Sequence, residues 1–218
     1  MDISSFKNKH VGDSIVVIAT GPSLAKTNFS LLKGKVLFGV NSLYENSLYA
    51  GFTCHYYAIS DKMGWKRYGK GVLKTNAVLF SPHCDGVGSV KTKTLPGGMW
   101  DGRFSKDAKR GLYPGGNVVV SIVLQVIYYL GFSTTYLLGC DCDFSDGHFG
   151  VQKENTEEEI AILKTIDPIN PFFTNDWWRD IASYQKCKEV FEADGREIIN
   201  CTTGGRLEVF KRMSLEDI

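Results

Sequence analysis

Apolar residues along this chain fall in short unbroken runs, not in the every-second-residue alternation of a sheet with one face in water. Six runs stand out: residues 14–20 (SIVVIAT), 35–41 (KVLFGVN), 56–60 (YYAIS), 77–81 (AVLFS), 135–139 (TYLLG) and 197–201 (EIINC). Strands covered on both faces have no solvent side, so they read as continuous hydrophobic stretches. Helical stretches separate the runs, and that alternation predicts a mostly parallel α/β sheet with helices on both faces. Residues 117–130 (NVVVSIVLQVIYYL) are β-branched enough for a strand. Their length and the following Gly131 predict instead a helix closed by a glycine cap, apolar nearly all round and therefore deeply buried. A second helix is predicted at about residues 176–193, closed by Asp194-Gly195 before the last strand.

Two stretches break this pattern. Residues 82–114 are rich in Gly, Lys and Thr without a clean period, and residues 143–175 carry Glu157-Glu158-Glu159 and the breakers Pro168 and Pro171. Both read as irregular insertions in one α/β domain spanning residues 1–218, with a lid, disorder or an oligomer contact all open for them.

Composition narrows the function. With 218 residues, 43% apolar and 22% charged, the chain can bury a sizeable core and is neither a disordered nor a fibrous sequence. Lys and Arg total 25 against 24 Asp and Glu, so the net charge of +1 offers no field to hold a nucleic acid. The cysteines Cys54, Cys84, Cys140, Cys142, Cys187 and Cys201 are scattered, several in apolar runs, which predicts free thiols and a cytoplasmic setting. The amino terminus has no apolar stretch of signal-peptide length. The longest apolar run, 118–130, is shorter than the ~20 residues that cross a bilayer, so no membrane span is expected.

In an open parallel sheet ligands bind beyond the carboxyl ends of the strands, so the residues following each strand are the candidates. The first strand runs into Gly21-Pro22-Ser23, where Gly21 permits a tight turn, Pro22 presets φ and Ser23 can cap a helix. Such a turn is either a phosphate cradle or an ordinary strand-to-helix connection, and it has neither Walker nor GxGxxG spacing. Asn41 ends the second strand and offers both a donor and acceptors; it is a ligand contact or a turn former. Asp61 after the third strand is a site acid or a helix cap. Gly115-Gly116-Asn117 opens the buried helix and makes a second glycine-rich helix start. Asp141, in Gly139-Cys140-Asp141-Cys142-Asp143-Phe144, puts a carboxylate at the sheet edge. Cys140 and Cys142 have one residue between them and no second pair, which is poor zinc spacing.

These motifs, in this order, resemble the bacterial sialyltransferase family that transfers sialic acid from CMP-sialic acid. They are similar also to its relatives, the motility accessory factors of flagellin glycosylation and the archaeal 6-hydroxymethylpterin diphosphokinases. Asp146-Gly147-His148 and the terminal Thr202-Thr203-Gly204-Gly205-Arg206-Leu207 are most like the accessory factors. The resemblance implies a Rossmann-like fold in which Gly21, Pro22 and Ser23 hold the nucleotide phosphate or ribose. It implies that Asn41 contacts the cytidine nucleotide, that Gly116 and Asn117 lie at the family's glycine-bearing helix start, and that Asp141 falls at its Gly-Ile-Asp-Phe motif. Two positions depart from the family. Thr20 stands where it has Asn before Gly-Pro-Ser-Leu, and Asn175-Asp176-Trp177-Trp178 stands where it keeps its general-base histidine.

The implied function is transfer of a sugar from a cytidine-monophosphate donor to a glycan or protein acceptor. His148 or Asp176 would be the base, the helix starts at Ser23 and Asn117 would steady the departing phosphate, and no metal is required. Asp176 is equally a helix cap, while His10, His55 and His83 show no supporting neighbours in sequence. The alternatives are a pterin-type diphosphotransferase, with Mg²⁺ held by Asp61, Asp141 and Asp143, and a nucleotide-binding module without catalysis. A homo-oligomer stays open, with Trp177 and Trp178 as contact or packing residues.

Overall fold

The computed structural model of the chain describes residues 1–45, 52–98, 101–143, 157 and 177–218. Among these residues a single sheet is built from β1 (Ser14–Ile18), β2 (Leu37–Val40), β3 (Tyr56–Ala58), β4 (Val78–Ser81), β5 (Ser89–Lys91), β6 (Thr134–Leu138), β7 (Glu197–Asn200) and β8 (Lys211–Arg212). The spatial order is β5-β4-β3-β2-β1-β6-β7-β8, with every neighbouring pair parallel. Strand order reverses at β1, which pairs with β2 on one side and β6 on the other. The fold is the expected Rossmann-like α/β arrangement, and the β1/β6 boundary is the switch point where such sheets leave a crevice.

Alternate residues of β1 explain why its run is apolar throughout. Ile15 and Val17 face a core shared with Val123, Ile127, Tyr184 and Phe191, whereas Val16 and Ile18 face a second core with Leu24, Phe29, Leu32 and Val72. Burying each such aliphatic side chain is worth about 1.5–3 kcal/mol. Cover comes from the helices α1 (Lys62–Val72), α2 (Leu124–Leu130) and α3 (Trp177–Ala193). A π-helical turn, Val119–Val123, leads directly into α2. All of α2 is buried, and it stops at Gly131, whose φ of +96° only glycine adopts freely and whose N–H closes onto Ile127 and Tyr128. Asp61 resolves into a cap, its Oδ1 accepting from the Gly64 N–H at 2.7 Å.

The structure departs from the sequence reading in places. β6 ends at Leu138 because Gly139 turns to φ +66°. After β1 come two 3-10 turns, Pro22–Lys26 and Phe29–Leu32; the first has Gly21 as its cap and no side-chain cap bond, so Ser23 does not cap a helix. His10 and His55 have partners after all. His10 lies between Asp13 Oδ2 (3.0 Å) and the Tyr56 hydroxyl (2.6 Å), and His55 Nδ1 accepts from the Leu37 N–H. Tyr56 opens β3, so the His10 group sits at the amino end of the sheet, away from the crevice.

Residues 82–114, read as an insertion beside the sheet, are partly inside it. They contribute β5, and Thr94 bridges to Leu112. Gln125 of α2, 1% exposed, ties this segment down. Its Oε1 accepts from the N–H groups of Ser105 and Tyr113, both at 3.0 Å, and its Nε2 donates to the Tyr113 carbonyl at 2.9 Å. The other irregular stretch, 143–175, lies outside the described residues apart from Asp143 and Glu157. Among the described residues no helix is long and apolar enough to cross a membrane. All six cysteines are free and buried.

Candidate functional site

Beyond the carboxyl ends of β1, β2, β3 and β6 lies a cleft of about 570 Å³. Its wall includes Gly21 and Pro22 from the turn after β1, Asn41 after β2, Asp61 after β3, Gly116 and Asn117 from the glycine-rich turn, and Asp141 after β6. Six of the seven residues assigned to a nucleotide from sequence therefore border one space. The seventh, Ser23, is bonded to Asp141. His148 and Asp176 lie outside the described residues.

The β1 and β6 turns lock together. The Ser23 N–H donates to Asp141 Oδ1 at 3.0 Å and the Ser23 hydroxyl to Oδ2 at 2.7 Å. Burial pushes the Asp141 carboxyl up, against these two hydrogen bonds, which pull it down. This corrects the phosphate-cradle reading of the Ser23 turn: its amide already serves a carboxylate, and a second anion there would be repelled. What the corner offers a ligand is an acceptor. The terminal segment supports it, since the Arg206 N–H donates to the Asp141 carbonyl at 2.6 Å and Thr202 Oγ1 accepts from the Cys140 N–H at 3.1 Å.

Asn41 adds a second acceptor. Its φ of +46° is a left-handed conformation that asparagine tolerates better than most residues, and the Tyr57 hydroxyl holds its carbonyl at 2.9 Å. Its side-chain Oδ1 is buried without a hydrogen-bond partner among the described residues, a costly state for a polar atom unless a ligand donor completes it.

The glycine-rich turn is organised by Asn117. Its Oδ1 accepts from the N–H groups of Val119 (2.9 Å) and Val120 (3.2 Å), and its Nδ2 donates to Asp180 Oδ2 at 2.6 Å. Gly116 and Asn117 N–H groups have no acceptor among the described residues, so this wall presents donors. Asp180, on α3, escapes sequence reasoning because nothing local marks a lone helical aspartate as buried. Only 5% of it is exposed, and burial pushes its carboxyl from the ordinary 3.8 up to about 6, with the Asn117 hydrogen bond pulling it partly back. A raised carboxyl destabilises the fold only when ionised. The penalty is absent below the unfolded value, grows between 3.8 and about 6, and is complete above that. Asp180→Asn is therefore expected to be more stable than the parent by about 2 kcal/mol at pH 8, the gain closing toward pH 4, as urea midpoints at the two pH values will show.

Cys140 and Cys142 line the cleft beside Tyr184. Burial pushes both thiols up, Cys142 to about 12, so they remain protonated and unreactive. The carboxylates proposed for Mg²⁺ all border the cleft, but each is engaged elsewhere: Asp61 caps α1, Asp141 holds Ser23 and Asp143 Oδ2 accepts from Arg206 at 3.1 Å. Among the described residues no three His, Cys, Asp or Glu side chains form a metal-holding group.

With this geometry the fold can be placed among solved proteins. The same fold occurs in two solved glycosyltransferases. One neighbour is the MAf glycosyltransferase from Magnetospirillum magneticum AMB-1, at 13% identity and a TM-score of 0.61, matched over 99% of this chain and 38% of that one. Another is the sialyltransferase CstII from Campylobacter jejuni, solved in complex with a substrate analogue, cytidine-5'-monophosphate. It is 12% identical with a TM-score of 0.54, over 94% of this chain and 86% of that one. The present chain thus spans well under half of the first protein and most of the second. At these identities the likeness is one of fold. The link to pterin diphosphokinases gains no support from it. No protein-family model matches the chain, and no curated protein matches it by sequence.

Proposed function

We propose that this chain is a glycosyltransferase that takes its sugar from a cytidine-monophosphate donor and passes it to a glycan or protein acceptor. The observation that carries the reading is the convergence of Gly21, Pro22, Asn41, Gly116, Asn117 and Asp141 on one cleft at the switch point of the sheet. The sialyltransferase of this fold solved with cytidine-5'-monophosphate supports the choice of nucleotide. The wall chemistry is in keeping with it. The acceptors Asp141 and Asn41 suit hydroxyl and amino donors of a nucleoside, and the N–H groups of Gly116 and Asn117 suit a phosphate oxygen.

In the reaction a base removes the acceptor hydroxyl proton, the freed oxygen attacks the anomeric carbon, and the bond from that carbon to the phosphate oxygen breaks. Cytidine monophosphate leaves with the electron pair, its growing charge met by the donors of the glycine-rich turn. His148 and Asp176 are the proposed bases, as the sequence suggests. Nothing in the described cleft favours triphosphate chemistry: its charged lining is Asp61, Asp141, Asp143 and Lys62.

The test is calorimetric titration with cytidine, guanosine and adenosine nucleotides, followed by assay of sugar release from a cytidine-monophosphate sugar. Cytidine monophosphate is expected to bind, and Asn41→Ala to weaken it about tenfold without unfolding the protein, the worth of one ligand hydrogen bond. Absence of cytidine binding overturns the reading. Binding without turnover makes the chain a nucleotide-binding module.

A further inference from the structure

One buried charge behind the cleft has no use in the reaction just described. Among the described residues Asp180 has no cationic partner and its Oδ1 no hydrogen-bond partner, although only 5% of the residue is exposed. Among the described residues its side chain bonds to Asn117 Nδ2 alone, and Asn117 borders the cleft. The carboxamide cannot flip, because its oxygen is already claimed by the Val119 and Val120 N–H groups. The Nδ2 end must then face Asp180, and its second hydrogen has no acceptor among the described residues.

We propose that Asp180 is a positioning residue which holds the Asn117 carboxamide at the glycine-rich wall, and whose charge weakens the cleft's grip on a phosphate group until a proton neutralises it. The inference rests on the reading that the cleft holds a nucleotide. Around Asp180 the titratable neighbours are Cys142, from the β6 turn, and Tyr184, on its own helix, with Cys140 beside them. All three are buried and protonated, hence neutral. None offers a positive charge to offset the carboxylate, while Asp141 and Asp143 add negative charge to the cleft. A phosphate entering at Gly116 and Asn117 therefore meets an ionised carboxylate one side chain away. By linkage, whatever factor the proton adds to phosphate affinity, the phosphate adds to the proton affinity of Asp180. One pKa unit of coupling is a tenfold change in affinity.

The probe must keep its own charge constant, which a phosphate monoester does not near pH 6. The methyl phosphodiester of cytidine monophosphate does, and uncharged cytidine is its control. For the wild-type protein, the phosphodiester is expected to bind about tenfold tighter at pH 5.5 than at pH 8, whereas cytidine binds equally at both. Asp180→Asn keeps an acceptor for Asn117 without the charge, and should bind the phosphodiester at the tighter level at both pH values. Wild-type titrations at pH 7 in buffers of different ionisation enthalpy should show net proton uptake with the phosphodiester alone. A flat wild-type profile, or a slope that survives in Asp180→Asn, overturns the proposal. If neither cytidine compound binds, the nucleotide reading fails separately. The coupling is then read with dimethyl phosphate, and a pH-independent or absent interaction there overturns it.

Discussion

Gly21→Ala is expected to destabilise the protein by about 3 kcal/mol and to abolish ligand binding in the cleft. The backbone at Gly21 is unremarkable, with φ −72°, so conformation is not the reason. A Cβ there would land on the Asp141 carboxylate and on the Gly139 carbonyl oxygen. The carbonyl cannot withdraw without breaking its hydrogen bond from the Gly21 N–H at 2.9 Å, and the carboxylate cannot turn without releasing both Ser23 donors. Either escape opens the junction of the β1 and β6 turns. Urea midpoints measure the loss. Adding Asp141→Ala to Gly21→Ala removes one of the two collisions and should restore part of the stability; a double variant as unstable as the sum of the two singles would show that the clash is not with Asp141.

Gln125→Leu, close in volume and apolar like its helix, is nonetheless expected to lower stability by about 3 kcal/mol. It leaves the Ser105 and Tyr113 N–H groups and the Tyr113 carbonyl without their side-chain partner, each a buried or half-buried group that costs about 1 kcal/mol or more when unmet. The functional effect follows from place. Tyr113 precedes Pro114, Gly115 and Gly116, all on the cleft wall, so freeing it loosens the wall that presents donors to a phosphate. Nucleotide affinity should fall together with thermal stability. A variant that loses stability but binds nucleotide as the parent does would separate the two.

How much of this could be read in the amino-acid sequence depends on where each element draws its signal. β1, β2, β3, β4, β6 and β7 are covered on both sides, and their side chains record it. β5 and β8 lie at the two edges, and Ser89–Lys91 and Lys211–Arg212 hold their places through backbone pairing that leaves no apolar run to notice. Much of the cleft was legible for the same reason as the covered strands: Gly21, Asn41 and Asp141 follow runs that could be recognised. Polar residues whose meaning comes from distant partners could not be. Gln125 reads as one polar residue in an apolar helix, and Asp180 as one charge in a mixed one; neither names Tyr113 or Asn117. Ser23 reads as a helix cap because that is its local chemistry, yet its hydroxyl answers Asp141, 118 positions later.

That separation bears on how the molecule comes into being. The nascent chain can align β1 to β4 early, since each pairs with its successor in sequence, but the partner of β1 across the switch point is β6. Distant parallel pairing requires a large loop to close before any contact rewards it, which makes it the slow part of folding. The Arg206 N–H that holds the Asp141 carbonyl lies further along the chain than β6 and arrives later still. The cleft is thus complete only after β6 and the segment around Arg206 have joined β1. Its readiness to accept a ligand certifies that both halves have docked, and any ligand of the cleft will favour the finished molecule over every shorter or half-assembled form.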